Sequence, residues 1–146
     1  MSVSIFPNAD AIDFFAPFDI AQTATLELKN EEVTEVMFKL KTTDNSRFRV
    51  EPPAGLVKPG QSSQVKVICL RFHFTPADKE RNDHISLYSA PAPPGMLSMH
   101  KTWDYVTRYA TVFRKELAII YNTDPKTTVT TRHHPDSEIP PPRKMN

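Results

Sequence analysis

Short runs in which apolar and polar residues alternate recur along the chain and constrain its fold more than any other feature. They cover residues 23–30, 33–43, 63–70, 84–89 and 112–121. Successive side chains of a β-strand point to opposite faces of the sheet, so each run predicts a strand with one apolar and one polar face. The runs mostly follow one another through turns, without the β-α-β order of a parallel sheet. We therefore predict an all-β fold, an antiparallel sandwich of about seven strands.

One segment, residues 96–109, has helical rather than strand periodicity. Its large apolar residues fall at i, i+3, i+7 and i+10, on one face of a helix; they are Met96, Met99, Trp103 and Val106. We predict a short helix that caps the end of a sheet. The Pro59-Gly60 pair predicts a tight turn, within a Pro-rich loop that we place between two strands.

The chain divides into one folded domain, residues 1–122, and a tail, residues 123–146. The tail holds five of the fourteen prolines, and after Val129 its only large apolar residues are Ile139 and Met145. Such a segment buries too little apolar surface to fold alone, so we predict a disordered Pro-rich polar tail. Docking of the run at 140–143 as a polyproline helix is an alternative that we rank below an inert tail.

The charge balance excludes several classes of function. Eighteen basic and seventeen acidic residues give a net charge of +1, which provides no long-range attraction to nucleic acid.

No stretch approaches the roughly 20 apolar residues of a membrane span, and the N-terminus does not have the pattern of a signal peptide. The lone Cys69 lies in an apolar run, so we predict a small buried side chain. We predict a cytoplasmic protein.

The sequence contains no catalytic or metal-binding motif. Gly55, Gly60 and Gly95 cannot form a phosphate-binding loop, and the adjacent His133 and His134 lack the spacing of metal ligands. No nucleophile lies in a strained-turn motif. We therefore predict no enzymatic activity, no cofactor and no metal site.

The polar face of the strand at 33–43 is the best candidate for a binding surface. Alternation places Val36, Phe38, Leu40 and Thr42 towards the core, and Met37, Lys39, Lys41 and Thr43 outward. Arg47 and Arg49 follow soon after. Such a face would attract carboxylate or phosphate groups of a partner, although an ordinary solvated strand face remains the simpler interpretation.

The middle of the chain resembles the major sperm protein domain family, which includes nematode sperm cytoskeletal proteins and the VAP membrane-contact receptors. The resemblance runs from about residue 5 to residue 122. Its most specific part is the run Lys41-Thr42-Thr43, followed by the loop Pro53-Ala54-Gly55. The segments that carry it are residues 16–19, 38–43, 50–59, 81–86 and 113–122. The family fold that it implies is a seven-stranded immunoglobulin-like β-sandwich.

The resemblance implies two different functions. Sperm-type members form dimers that build filaments, whereas VAP-type members bind acidic peptides with two phenylalanines through the face around Lys-Thr-Thr. The patterns at 82–85 and 114–122 look more like the sperm branch. Where VAP proteins place a lysine and a methionine, this chain has His84 and Ser86. The run Asp13-Phe14-Phe15 looks like such a peptide, but we predict that it is buried.

We predict a non-enzymatic protein that assembles with, or regulates, nematode sperm cytoskeletal filaments, with filament subunits as partners and a homodimer as one arrangement. The alternative is a VAP-like adaptor that binds acidic two-phenylalanine peptides. The residues predicted to contact a partner are Lys39, Lys41, Thr42, Thr43, Arg47, His84 and Ser86.

Overall fold

Two β-sheets pack face to face around an apolar core. The computed structural model describes residues 5–7, 10–95, 98–123 and 130–132. The strands are β1 Ile5–Pro7, β2 Ala11–Phe15, β3 Gln22–Asn30, β4 Val36–Thr42, β5 Phe48–Glu51, β6 Ala54–Val57, β7 Ser62–Cys69, β8 His84–Pro91, β9 Phe113–Asn122 and β10 Thr130–Arg132. A 3₁₀ helix spans Pro76–Glu80, and one α-helix, α1, spans Met99–Tyr109.

The strand order confirms the predicted immunoglobulin-like sandwich. The four-stranded sheet has the order β1-β3-β7-β5, and the six-stranded sheet has the order β10-β2-β9-β8-β4-β6. Neighbouring strands are antiparallel except β2 and β9, which run parallel. The described residues contain more strands than the predicted seven because short edge strands complete both sheets. One of these, β6, lies where the sequence predicted only a loop, and it pairs with the first half of β4.

Period-two alternation produces the core as predicted. On β3, Leu26 and Leu28 are fully buried; on β7, the equally buried Val65 lies opposite Leu26 and Val67 lies opposite Ala24. Cys69 is buried, as predicted, and this burial raises the pKa of its thiol to about 12. At that pKa the thiol stays protonated at neutral pH, so Cys69 acts as a small apolar side chain.

The predicted burial of the two adjacent phenylalanines is confirmed. All of β2 is buried, including Phe14, Phe15 and the carboxyl-bearing Asp13. Strand β2 lies between β9 and β10 in the six-stranded sheet. The peptide-like run is therefore part of the sandwich and is not presented to a partner.

Helix α1 corrects one prediction about β4. Met37 was assigned to the exposed face with Lys39 and Lys41, but it is fully buried because Trp103 and Val106 of α1 pack over it. The helix therefore lies on the outer face of the six-stranded sheet rather than at its end. Its predicted apolar stripe is confirmed at Trp103 and Val106, whereas Met96 lies outside the described residues.

Two further predictions concern the turn at Pro59-Gly60 and the segment that follows residue 122. The predicted turn at Pro59-Gly60 is confirmed: Gly60 has a φ of 73°, and the Gln61 amide donates to the Lys58 carbonyl at 3.0 Å. In the segment predicted as tail, residues 130–132 form β10 and pair with β2. The predictions for residues 124–129 and 133–146 lie outside the described residues.

Candidate functional site

The outer face of the six-stranded sheet gathers most of the predicted partner-binding residues. Lys41 lies opposite Ser86, which in turn lies opposite Glu116 on β9. Two residues away on each strand, a second row of neighbours crosses the same face: Lys39 lies opposite Tyr88, which lies opposite Arg114. We call this surface the basic face; it comprises Lys39, Lys41, Thr43, His84, Ser86, Tyr88, Arg114 and Glu116.

Three cations surround the ring of Tyr88 on the basic face. Lys39 Nζ, Lys41 Nζ and the Arg114 guanidinium each lie 5.8 Å from its centroid. Lys39 Nζ also lies 4.7 Å from the centroid of Trp103 on α1. Aromatic faces attract cations, so the two rings hold the lysines close together despite their like charge.

Lys39 and Lys41 carry charge that the described part of the chain does not neutralise. Partial burial and the neighbouring Lys41 lower the pKa of Lys39. Among the described residues, neither lysine has a carboxylate within ion-pair distance. An anionic group placed between the two lysines would relieve their mutual repulsion.

The β9 side of the basic face is more nearly neutral. The Arg114 guanidinium forms an ion pair with Glu116 and donates to Ser86 Oγ at 3.2 Å. His84 Nε2 lies 3.4 Å from Glu116 Oε2. Ser86 is buried beneath these side chains, with 5% of its surface exposed, so its hydroxyl supports Arg114 instead of offering a free contact.

The two threonines of the Lys-Thr-Thr run have different surroundings. Thr43 joins the end of β4 to the start of β8, because its Oγ1 donates to Asp83 at 2.9 Å and accepts from the His84 amide at 3.2 Å. The Thr42 hydroxyl donates to Asn45 Oδ1 at 2.7 Å. Thr43 thus belongs to the basic face, while Thr42 faces a neighbouring cleft.

This cleft is lined by residues of β4, in the six-stranded sheet, and of β5, in the four-stranded sheet. It has a volume of about 530 Å³. Its lining residues are Leu40, Lys41, Thr42, Asn45, Phe48, Arg49, Val50 and Pro53. Apolar side chains therefore form the floor and two cations stand at the rim. Lys41 lines the cleft and also contributes to the basic face.

Arg47 is not part of the basic face, although the sequence grouped it with the two lysines. Its guanidinium pairs with Asp78 at 2.9 Å, donates to Tyr121 Oη at 3.1 Å and lies 3.7 Å from the ring centroid of Phe72. These contacts satisfy the charge inside the molecule. We therefore leave Arg47 out of the site that we propose below.

Arg47 belongs to a polar network that supports one end of the basic face. Asp83 accepts from Thr43, from Arg81 Nε at 2.7 Å and from Tyr121 Oη at 2.6 Å. Burial opposes the ionisation of Asp83, but these hydrogen bonds outweigh it and lower its pKa. Burial raises the pKa of Tyr121, and its hydrogen bond to Asp83 raises it further. The network therefore keeps Asp83 charged and Tyr121 protonated.

Only part of this site could be predicted from sequence patterns. Alternation along residues 84–89 and 112–121 predicts outward positions for Tyr88, Arg114 and Glu116. It did not place them beside Lys39 and Lys41, because that requires the order β9-β8-β4 within the sheet. No pattern in the sequence distinguished the residues of the polar network from charged residues scattered over the surface.

Comparisons with known proteins identify the family. A model of the MSP (Major sperm protein) domain matches residues 2–106. Vesicle-associated membrane protein-associated protein A of Homo sapiens is 32% identical over 92 residues, which cover 63% of this chain and 36% of that protein. Major sperm protein 10/36/56/76 of Caenorhabditis elegans is 30% identical over 116 residues, which cover 80% of this chain and 89% of that protein.

A solved structure agrees in fold. The structure of WR4, a C. elegans MSP family member, superposes with a TM-score of 0.63 at 17% identity, and the match covers 80% of this chain and 96% of that one. The chain spans only about a third of the length of the mammalian VAP-type relatives, 36% for the human protein, but most of the length of the sperm-type relative. This chain belongs to the major sperm protein domain family.

Proposed function

We propose that the protein is a non-enzymatic interaction module whose basic face binds an acidic segment of a partner protein. The observation that carries this proposal is the pair Lys39 and Lys41, held over Tyr88 without an ion-pair partner among the described residues. A carboxylate pair from a partner would gain charge-assisted hydrogen bonds there. Lys39 is already partly desolvated between the rings of Tyr88 and Trp103, so removing the remaining water from its ammonium group costs less.

The neighbouring cleft favours a partner that also carries an apolar side chain. Its floor contains Leu40, Phe48 and Val50, and Lys41 stands between the cleft and the basic face. An extended acidic peptide could therefore place carboxylates on the lysines and an apolar group in the cleft. This combination fits the acidic two-phenylalanine peptides that the resemblance to VAP proteins implies.

Arg114 lies beside one of the two positions at which β8 departs from the VAP pattern. The resemblance places a lysine and a methionine where this chain has His84 and Ser86. Arg114 reaches across from β9 and donates to Ser86 Oγ at 3.2 Å. Arg114, which pairs with Glu116, thus lies beside Ser86 at the position of the methionine, while His84 stands at the position of the lysine.

Titration of an acidic two-phenylalanine peptide tests the proposal. We expect Lys41→Glu to weaken binding by about tenfold or more, because it reverses a charge shared by the face and the cleft. Lys66→Glu is the matched control, since Lys66 is exposed on β7 in the other sheet and should leave the affinity unchanged. Wild-type protein that does not bind, or equal weakening by both variants, would contradict the proposal.

The second candidate is assembly with sperm-type filaments, which would place the protein in the cytoplasm of nematode sperm. It is supported by the match to 89% of the length of a C. elegans major sperm protein. Sedimentation at high concentration, alone and with sperm-type filaments, tests this candidate. Self-association or co-sedimentation is expected, and a strict monomer that stays out of the filaments would exclude it.

A further inference from the structure

His84, Glu116 and Arg114 form a chain of charged groups at one edge of the basic face. Glu116 Oε2 pairs with the Arg114 guanidinium and also lies 3.4 Å from His84 Nε2. The other ring nitrogen, Nδ1, lies 3.3 Å from the Asn82 carbonyl oxygen. The side chains of His84 and Glu116 are 22% and 47% exposed, so solvent protons reach both.

The surroundings of His84 leave Glu116 as its acidic neighbour. On β4, Lys41 lies one row away and Thr43 contributes hydrogen bonds to the His84 backbone. On β9, the residue directly opposite is Ala118. Asp83 precedes His84 but turns to Arg81, Tyr121 and Thr43. Among the described residues, Glu116 is the one carboxylate within ion-pair distance of the imidazole.

Resting on the proposed function, we propose that protonation of His84 tightens the binding of an acidic partner to the basic face. A protonated imidazole adds one positive charge beside Lys41. It also competes with Arg114 for Glu116, which leaves the guanidinium more available to the partner. Histidine is the side chain whose charge ordinarily changes between about pH 5 and pH 8, so the proposal predicts an affinity that depends on pH in this range.

The expected direction follows from the charges. Lowering the pH raises the charge of the face, whereas partner carboxylates, with pKa values of about 4, remain ionised at about pH 6. We therefore expect the dissociation constant of the acidic two-phenylalanine peptide to fall by about fivefold between about pH 8 and about pH 6. His84→Gln should remove this dependence, and His84→Lys should bind tightly at both pH values.

Two control variants distinguish His84 from His73 and His100, two of the other four histidines. His73→Gln and His100→Gln alter exposed imidazoles outside the basic face and should keep the wild-type response. Glu116→Gln should tighten binding at about pH 8, because Arg114 is then free of its carboxylate partner. A Glu116→Gln variant with wild-type affinity at that pH would overturn the competition step.

The outcomes separate this inference from the proposed function. Peptide that binds wild-type protein equally at both pH values would overturn the inference and leave the binding function standing. A pH response that persists in His84→Gln would do the same. If wild-type protein binds the peptide at neither pH, the proposed function fails and the inference fails with it.

Discussion

At the scale of single residues, the environments of charged groups decide whether they stabilise the protein or remain available to a partner. Arg47 and Arg49 are separated by one residue, yet Arg47 is enclosed by Asp78, Tyr121 and Phe72 while Arg49 is exposed at the rim of the cleft. The sequence predicted both as surface cations. Because Phe48 is buried, alternation predicts an outward position for both arginines, and only the fold shows that Phe72 and Tyr121 enclose Arg47.

We expect Arg47→Ala to lower the free energy of unfolding by about 2–4 kcal/mol, because it leaves Asp78 largely buried without its cation. Arg49→Ala is the matched control and should change stability by less than about 0.5 kcal/mol. Urea unfolding measures both changes. Equal losses in the two variants would contradict the structural role that we assign to Arg47.

Acid should destabilise the protein through Asp44, which accepts a hydrogen bond of 2.7 Å from Arg81 of the polar network. Hydrogen bonds from Ser46 and then Arg81 lower the pKa of Asp44 to about 2, below the usual value of about 3.9 in an unfolded chain. A lowered folded-state pKa contributes stability above the unfolded pKa, and this contribution is lost as the pH falls through the folded value. We therefore expect the urea midpoint to fall between about pH 4 and about pH 2.

Asp44→Asn provides the control for this acid effect. The variant should be less stable than wild type at about pH 5 and should lose less stability on acidification, because residue 44 then no longer titrates. An identical loss in wild type and variant would show that Asp44 does not contribute to the acid response.

At the scale of secondary-structure elements, helix α1 determines how much of β4 is exposed. The apolar stripe of α1 predicted that this face of the helix is buried. It did not identify the sheet surface against which the helix packs. Met37 and the two lysines share an outward side of β4, and only Met37 lies beneath Trp103 and Val106. The strands were easier to predict because alternation marks their inner and outer faces directly.

Removal of the Trp103 side chain tests the packing of the helix. We expect Trp103→Ala to lower the free energy of unfolding by about 3 kcal/mol, since it opens a cavity over Met37 and Ala90. Tyr109→Ala on the same helix is the control, because Tyr109 is 72% exposed and should contribute less than about 0.5 kcal/mol. A small effect of Trp103→Ala would show that α1 contributes little to stability.

At the scale of the whole molecule, the sandwich brings distant parts of the chain onto one surface. Strands β4, β8 and β9 lie far apart in sequence, yet they place Lys41, Ser86 and Glu116 in one row. The sequence predicted the two lysines and Thr43 because they lie on a single strand. It could not predict Arg114 as their neighbour, since a contact across strands depends on the order of the sheet.

Mapping amide chemical shifts during titration with an acidic two-phenylalanine peptide tests most directly whether the basic face binds acidic partners. We expect the largest shifts along β4, β8 and β9, at Lys39, Lys41, Tyr88 and Arg114, and in the neighbouring cleft. Strands β3 and β7 of the other sheet should be unaffected. Shifts confined to that other sheet, or no shifts at saturating peptide, would contradict the claim.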